Sequence, residues 1–148
     1  MTVVRAVTSP LYPTVGQTGH LNRLLGAVCD VYNAALESRR GRWAWNRESV
    51  TKIDQFNDLA GQETREAIPG LAEFGIGPFR GALTRLDRAF AGFFRRVKKG
   101  QTPGFPRFKA KARFDSFEYP DKTGWKITTT GKGTYGRLYV KGVGHIKI

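Results

Sequence analysis

The stretch from Arg95 to Pro120 constrains this chain more than any other part of it. Pro103, Gly104 and Pro106 fall within four positions of each other. Proline removes a backbone donor and blocks the preceding turn, so no regular helix can pass through here. The backbone must run extended, and it divides a helical first part from a strand-forming last part. The same stretch is cationic. Nine Lys or Arg residues and no Asp or Glu lie between Arg88 and Phe114. Phe105, Phe108, Phe114, Phe117 and Tyr119 are threaded through and just beyond that run. Cations neutralise phosphates and release counterions. Planar rings can stack on unpaired bases. Charge and rings coincide where acids are missing, which points to nucleic acid rather than to a solvated loop.

The charge distribution supports that reading. The chain has 148 residues and a net charge of +13. Residues 1–87 carry 10 Lys or Arg against 9 Asp or Glu; residues 88–148 carry 15 against 3. A polyanionic partner fits such asymmetry. A membrane surface fits less well, because the basic part holds no basic amphipathic helix. The length suits one domain, or one domain with an insertion.

Before the ribbon the pattern is helical. Val3 to Thr8 is short and β-branched and reads as a strand. The prolines at Pro10 and Pro13 end it. Thr14 and Gln17 have capping-box spacing. Leu21, Leu24, Leu25, Val28, Tyr32, Ala35 and Leu36 then predict a helix to about Arg40 or Gly41. Arg39, Arg40 and Arg42 suit its C-terminal dipole. Trp43 and Trp45 fall in the connection, as core or as cover for a binding surface. A shorter helix is expected around Lys52 to Gln62, and residues 66–78 read as a connection with a turn of helix. Pro78 fits the first turn of a last helix. Phe79, Leu83, Leu86, Phe90, Phe93, Phe94 and Val97 form its apolar stripe, most simply a core face.

After the ribbon come strands. Trp125–Thr130, Tyr135–Val140 and Val143–Ile148 are separated by a hairpin turn at Gly131–Gly133 and a looser join at Gly142 and Gly144. With the N-terminal strand they make an α+β chain: a small sheet or partial barrel interrupted by helices. Cys29, the single cysteine, excludes an internal disulfide and a thiolate zinc cluster and reads as a small core hydrophobe. No apolar run approaches the roughly 20 residues that span a bilayer, and no leader-type segment opens the sequence. The expected compartment is reducing and cytoplasmic. Asp115, Glu118 and Asp121 read as structural or solvated rather than metal-binding. His20 and His145 lack a partner at catalytic or metal spacing. No catalytic apparatus, metal site or cofactor is expected.

Five local patterns occur in order: Leu11-Tyr12-Pro13-Thr14 with Gln17; Val31-Tyr32-Asn33; Leu86-Asp87-Arg88-Ala89-Phe90 with Phe93-Phe94; Gly104-Phe105-Pro106-Arg107-Phe108-Lys109-Ala110-Lys111; and Asp115-Ser116-Phe117-Glu118-Tyr119-Pro120. Together they resemble the N-terminal part of the TnpB (OrfB-type) proteins of bacterial insertion sequences, relatives of type V CRISPR effectors. The resemblance covers essentially the whole chain. It implies an oligonucleotide-binding-like β-barrel, the wedge, from residues 1–12 and 104–148. A helical recognition insertion over 13–103 would interrupt it. It also implies guide RNA and target DNA as partners. The sequence ends where the family's RuvC-like nuclease and zinc module would begin. What is implied is therefore the binding part of an RNA-guided nuclease without its cutting part, as in a truncated gene or one component of a split system.

Arg95, Arg96, Lys98, Lys99, Arg107, Lys109, Lys111 and Arg113 are the candidate nucleic-acid contacts. Lys52 and Arg80 are the candidates for reading a motif beside the target, because the resemblance places that task on the second helix and the start of the last. Phe105 and Phe108 are either packing residues or stacking platforms. Two rival functions stand beside this one. The first is a stand-alone helix-turn-helix-like regulator binding duplex DNA; the basic C-terminal part argues against it, since such a protein concentrates charge on its second helix. The second is an enzyme active only with a separate nuclease domain.

Overall fold

A computed structural model describes residues 2–129 and 136–148. Five α-helices precede a three-stranded antiparallel sheet: α1 (Val15–Asn46), α2 (Lys52–Ala60), α3 (Gln62–Ala67), α4 (Leu71–Phe74), α5 (Gly77–Lys98), then β1 (Trp125–Thr129), β2 (Gly136–Val140) and β3 (Gly144–Lys147). The fold class is α+β, as expected. The sheet is a meander in the order β1-β2-β3. Trp125 sits opposite Val140, and Leu138 opposite Ile146.

The sheet formed by the described strands is not closed, so it shows the small sheet but not the barrel. One expectation about it is corrected. Val3 to Thr8 is not a strand; Val3, Val4 and Val7 are all strongly exposed. The backbone of this segment joins the sheet in an isolated bridge at Tyr12, whose N–H donates to the Lys147 carbonyl at 2.8 Å. The β-branched run has pairing propensity but no neighbouring strand against which to satisfy it. The turn expected at Gly131–Gly133 lies outside the described residues.

The capping box at the start of α1 forms as its spacing requires. Thr14 Oγ1 accepts from the Gln17 N–H at 3.2 Å, and Gln17 Oε1 accepts from the Thr14 N–H at 3.0 Å. The Gln17 amide then reaches the His145 carbonyl at 2.6 Å. One side chain thus caps the helix and ties it to β3.

Helix α1 does not stop at Gly41. It runs through Trp43 and Trp45 to Asn46 and ends at Arg47, which takes the left-handed conformation (φ 54°). Arg39 is consequently not a solvated C-terminal cation. It is buried, with Nε 2.9 Å from Gln55 Oε1 and Nη1 3.5 Å from Asp87 Oδ1. Its side chain bolts α1 to α2 and α5. Burial pushes its pKa below the ordinary guanidinium value, and Asp87 opposes that shift. The connection expected over 66–78 holds one turn of helix, α4, and a further short helix, α3 (Gln62–Ala67), runs into its start.

Helices α1 and α5 lie side by side and run the same way. Arg23, early in α1, pairs with Glu73 just before α5. Arg39, late in α1, meets Asp87 and Phe90 midway along α5. A single hydrophobic cluster joins Leu24, Val28, Tyr32 and Leu36 of α1, Phe79, Leu83 and Leu86 of α5, Phe114 of the ribbon, and Val140 and Ile146 of the sheet. Gly142 lets the sheet approach the helices. Its φ of +83° suits glycine, and a Cβ there would come within 2.6 Å of the Phe74 ring.

Candidate nucleic-acid interface

The ribbon from Lys99 to Pro120 has no regular structure except a 3-10 turn at Lys111–Arg113. It is nevertheless fastened along its length. Arg96 begins the fastening, with Nε 2.6 Å from the Pro103 carbonyl and Nη2 3.3 Å from that of Gly104. The Phe105 ring stands edge-on to Phe90 and Phe93 of α5, at centroid distances of 5.6 and 5.2 Å. Pro106 is buried. The Arg40 guanidinium of α1 lies over both Phe105 and Phe108, at 5.2 and 5.6 Å.

Asn33 supplies the central clamp. Its Oδ1 accepts from the Lys109 N–H at 2.8 Å, and its Nδ2 donates to the Lys109 carbonyl at 2.8 Å. The amide thus pairs with both backbone groups of one residue, as a neighbouring strand would. Cys29 Sγ–H also points at that carbonyl, at 3.4 Å. Burial raises the thiol pKa first, and Asp30 adds to it. The cysteine is therefore a weak donor within the core, as its helical position suggested.

Beyond the clamp, Phe114 inserts beside Tyr32 and beneath the Arg85 guanidinium. Arg85 Nη2 lies 2.8 Å from Ser116 Oγ and 3.2 Å from the Ser116 carbonyl. Arg88 pairs with Glu118, and Arg80 lies 4.0 Å from Asp121. The last acidic residues of the chain thus face arginines of α5. Asp121 Oδ1 also accepts from the Thr123 N–H at 2.9 Å, which holds its carboxyl below the ordinary aspartate value. Among the described residues no cluster of three or more His, Cys, Asp or Glu could hold a metal ion.

Gly77 and Gly81 make this part of the contact possible. A Cβ on Gly77 would fall 2.6 Å from the Tyr119 ring, and one on Gly81 would collide with the Glu118 carbonyl oxygen. Helix α5 therefore presents bare backbone to residues 118–119. The Tyr119 hydroxyl is buried without a hydrogen-bond partner, and burial pushes its pKa up to about 12.

Fastening the backbone leaves the cations outside. Arg95, Lys98, Lys99, Arg107, Lys109 and Arg113 are exposed, and none pairs with a carboxylate among the described residues. The Lys109 ammonium rests 6.0 Å from the Tyr32 ring. Two of the eight candidates are otherwise engaged. Lys111 pairs with Asp30 at 3.1 Å, and Arg96 is the strut described above. Phe105 and Phe108 do both of the things left open by sequence: each packs against protein, yet each keeps a face exposed (43% and 50%). Lys52 and Arg80 come together, each with its cationic head 5.7 Å from the Phe56 ring. Asn33 and Arg40 were not among the sequence candidates. Asn33 stands one turn after Cys29, on the face of α1 that also carries Tyr32, and a polar amide on a core stripe was the available signal.

The fold and the site define an α+β protein with a cationic ribbon clamped in the groove between two long helices. A family of OrfB-type proteins, described as a helix-turn-helix domain, matches residues 1–48. A Streptomyces pristinaespiralis protein described as "Putative RNA-guided DNA endonuclease" is 33% identical over 111 residues, which is 75% of this chain and 26% of that protein. Both findings support the resemblance of this chain to the N-terminal part of the TnpB/OrfB-type proteins. It spans about a quarter of the length of the curated relative it matches, 26%. Within residues 1–48 there is one helix, α1, preceded by extended chain and followed by the link to α2. No helix among the described residues is long and apolar enough to cross a membrane.

Proposed function

We propose that this chain is the nucleic-acid-binding portion of an insertion-sequence RNA-guided DNA endonuclease, holding guide RNA and target DNA and leaving strand cleavage to a nuclease domain outside it. The observation that carries this reading is the clamped ribbon. Its backbone is fixed by Asn33, Arg96 and Arg85, while Arg107, Lys109 and Arg113 face solvent without carboxylate partners. A surface whose backbone is fixed, and whose following acids Glu118 and Asp121 face arginines of α5, suits a phosphate backbone. Such contacts read backbone shape, and base pairing supplies the sequence.

In this reading residues 13–103 form the recognition part. Residues 1–12 and 104–148 belong to an oligonucleotide-binding-like wedge barrel, of which the meander and the Tyr12 bridge are a portion. Lys52 and Arg80, gathered on Phe56, are placed to meet the duplex beside the target. The chain alone is not an enzyme: its late carboxylates Glu118 and Asp121 are committed to arginines.

The stand-alone DNA-binding regulator is less well supported. A helix-turn-helix needs two short helices joined by a tight turn, whereas the matched span holds a single helix of 32 residues.

The deciding experiment is to express the chain in its native host, purify it at moderate salt and sequence the RNA that comes with it. One enriched RNA from the flank of its own gene is the expected result. A smear of unrelated RNA and DNA overturns the guide-binding reading. Binding to duplex DNA that is unchanged by ribonuclease supports the regulator instead.

A further inference from the structure

The last turns of α1 carry a feature that the ribbon does not explain. Arg40 and Trp43 stand three apart on α1 and so share one helix face. Arg47, the residue that ends the helix, brings its guanidinium back over Trp43. Arg40 lies over Phe105 and Phe108 at 5.2 and 5.6 Å, and Arg47 lies over Trp43 at 5.7 Å. Rings and guanidinium groups therefore alternate along one face, from Phe108 through Arg40 and Trp43 to Arg47. The rings stay open: Phe108 is 50% exposed and Trp43 54%. Neither Arg40 nor Arg47 pairs with a carboxylate among the described residues. Four arginines and no acid lie between Glu37 and Glu48. An exposed tryptophan at a protein–protein contact would not require this surrounding charge. Alternating planar rings and unpaired guanidinium groups match alternating bases and phosphates.

We propose that Phe108, Arg40, Trp43 and Arg47 form a stacking ladder for unpaired nucleotides of an RNA strand leaving a duplex held on the ribbon. Trp43 takes a base on its open face, and Arg40 and Arg47 take the flanking phosphates. The inference rests on the RNA-binding reading above. RNA is chosen over DNA because in that reading RNA is the resident strand.

The test uses the full chain and two RNAs: a blunt hairpin, and the same hairpin with a twelve-nucleotide adenosine tail. Trp43→Ala is expected to weaken binding of the tailed RNA by roughly 5- to 150-fold, the range for loss of one stacked base. It should leave blunt-hairpin binding and the salt dependence unchanged. Trp43→Phe should restore most of the affinity. Tryptophan fluorescence should be quenched by the tailed RNA in the wild-type chain and much less in the Trp43→Phe variant. Trp45→Ala, which removes a ring 87% exposed outside the ladder, should change neither affinity. Equal losses on both RNAs, equal losses from Trp43→Ala and Trp45→Ala, or a loss seen only with a DNA tail overturns the ladder while leaving the ribbon reading intact. If the wild-type chain binds neither RNA, the parent reading fails, and the ladder fails with it.

Discussion

Two residues show how much of this surface depends on single polar groups. Asn33 satisfies both backbone groups of Lys109 at 2.8 Å each. Asn33→Ala removes both bonds at a site that water can reach, and is expected to cost about 0.5–1.5 kcal/mol, read as a lower urea midpoint. RNA affinity should fall with it, because the cations of the ribbon lose their fixed spacing. An unchanged midpoint would remove Asn33 as the fastening. Tyr119 presents the opposite case. Its hydroxyl is buried and unpartnered, so Tyr119→Phe is expected to stabilise the fold by roughly 1 kcal/mol. Burial raises its pKa from 10.0 to about 12. The folded state therefore keeps the proton that the unfolded state releases above pH 10, and this contribution to stability is present below pH 10 and lost as pH rises toward 12. The phenylalanine variant should lose stability less steeply over that window; parallel pH profiles would contradict the assignment. Neither role could be read from the sequence. Asn33 and Tyr119 both lie in motifs that carried the family resemblance, but a motif does not say which backbone group an amide will meet.

At the scale of elements, glycine position decides packing in opposite directions. Gly81 faces residues 118–119, where an added Cβ meets the Glu118 carbonyl; nothing lies within 4 Å of the corresponding position at Gly26. Alanine is the better helix former at both sites by about 1 kcal/mol. Gly26→Ala should therefore stabilise by up to that amount. Gly81→Ala should destabilise by about 1–3 kcal/mol, because backbone rather than a movable side chain must yield. Denaturation of the two variants side by side checks the sign of each. Helix existence was legible throughout: the capping box at Thr14, the stripe from Leu21 to Leu36 and Pro78 at the start of α5 all appear in the structure. The end of α1 was not. Gly41 and three nearby arginines mimic a C-terminus, but Arg39 finds Gln55 and Asp87 only if the helix continues past it. Val3–Thr8 misled in the other direction, because β-branched composition does not provide a pairing partner.

For the whole molecule, the charge asymmetry seen in the sequence becomes a spatial one. The acids of the first part concentrate on α2 and α3, where Asp54, Asp58, Glu63 and Glu66 outnumber Lys52 and Arg65. The unpaired cations gather at the end of α5 and along the ribbon. Hairpin RNA drawn to the ribbon, with no target duplex present, should then leave α2–α3 largely free, and salt dependence can distinguish the two surfaces. Neutralising one phosphate-binding cation lowers the slope of log affinity against log salt by about 0.7–0.9. The double substitution Lys98→Gln and Lys99→Gln should therefore flatten the slope for hairpin RNA by roughly 1.5 and weaken binding to every sequence alike. Glu63→Gln with Glu66→Gln removes two charges at a distance. It should raise affinity slightly at low salt through the overall field and leave the slope unchanged. Fluorescence anisotropy across a salt series measures both. If the glutamate pair changes the slope and the lysine pair does not, the phosphate path runs over α2–α3, past Lys52 and Arg80, and the ribbon is a structural strap rather than the binding surface.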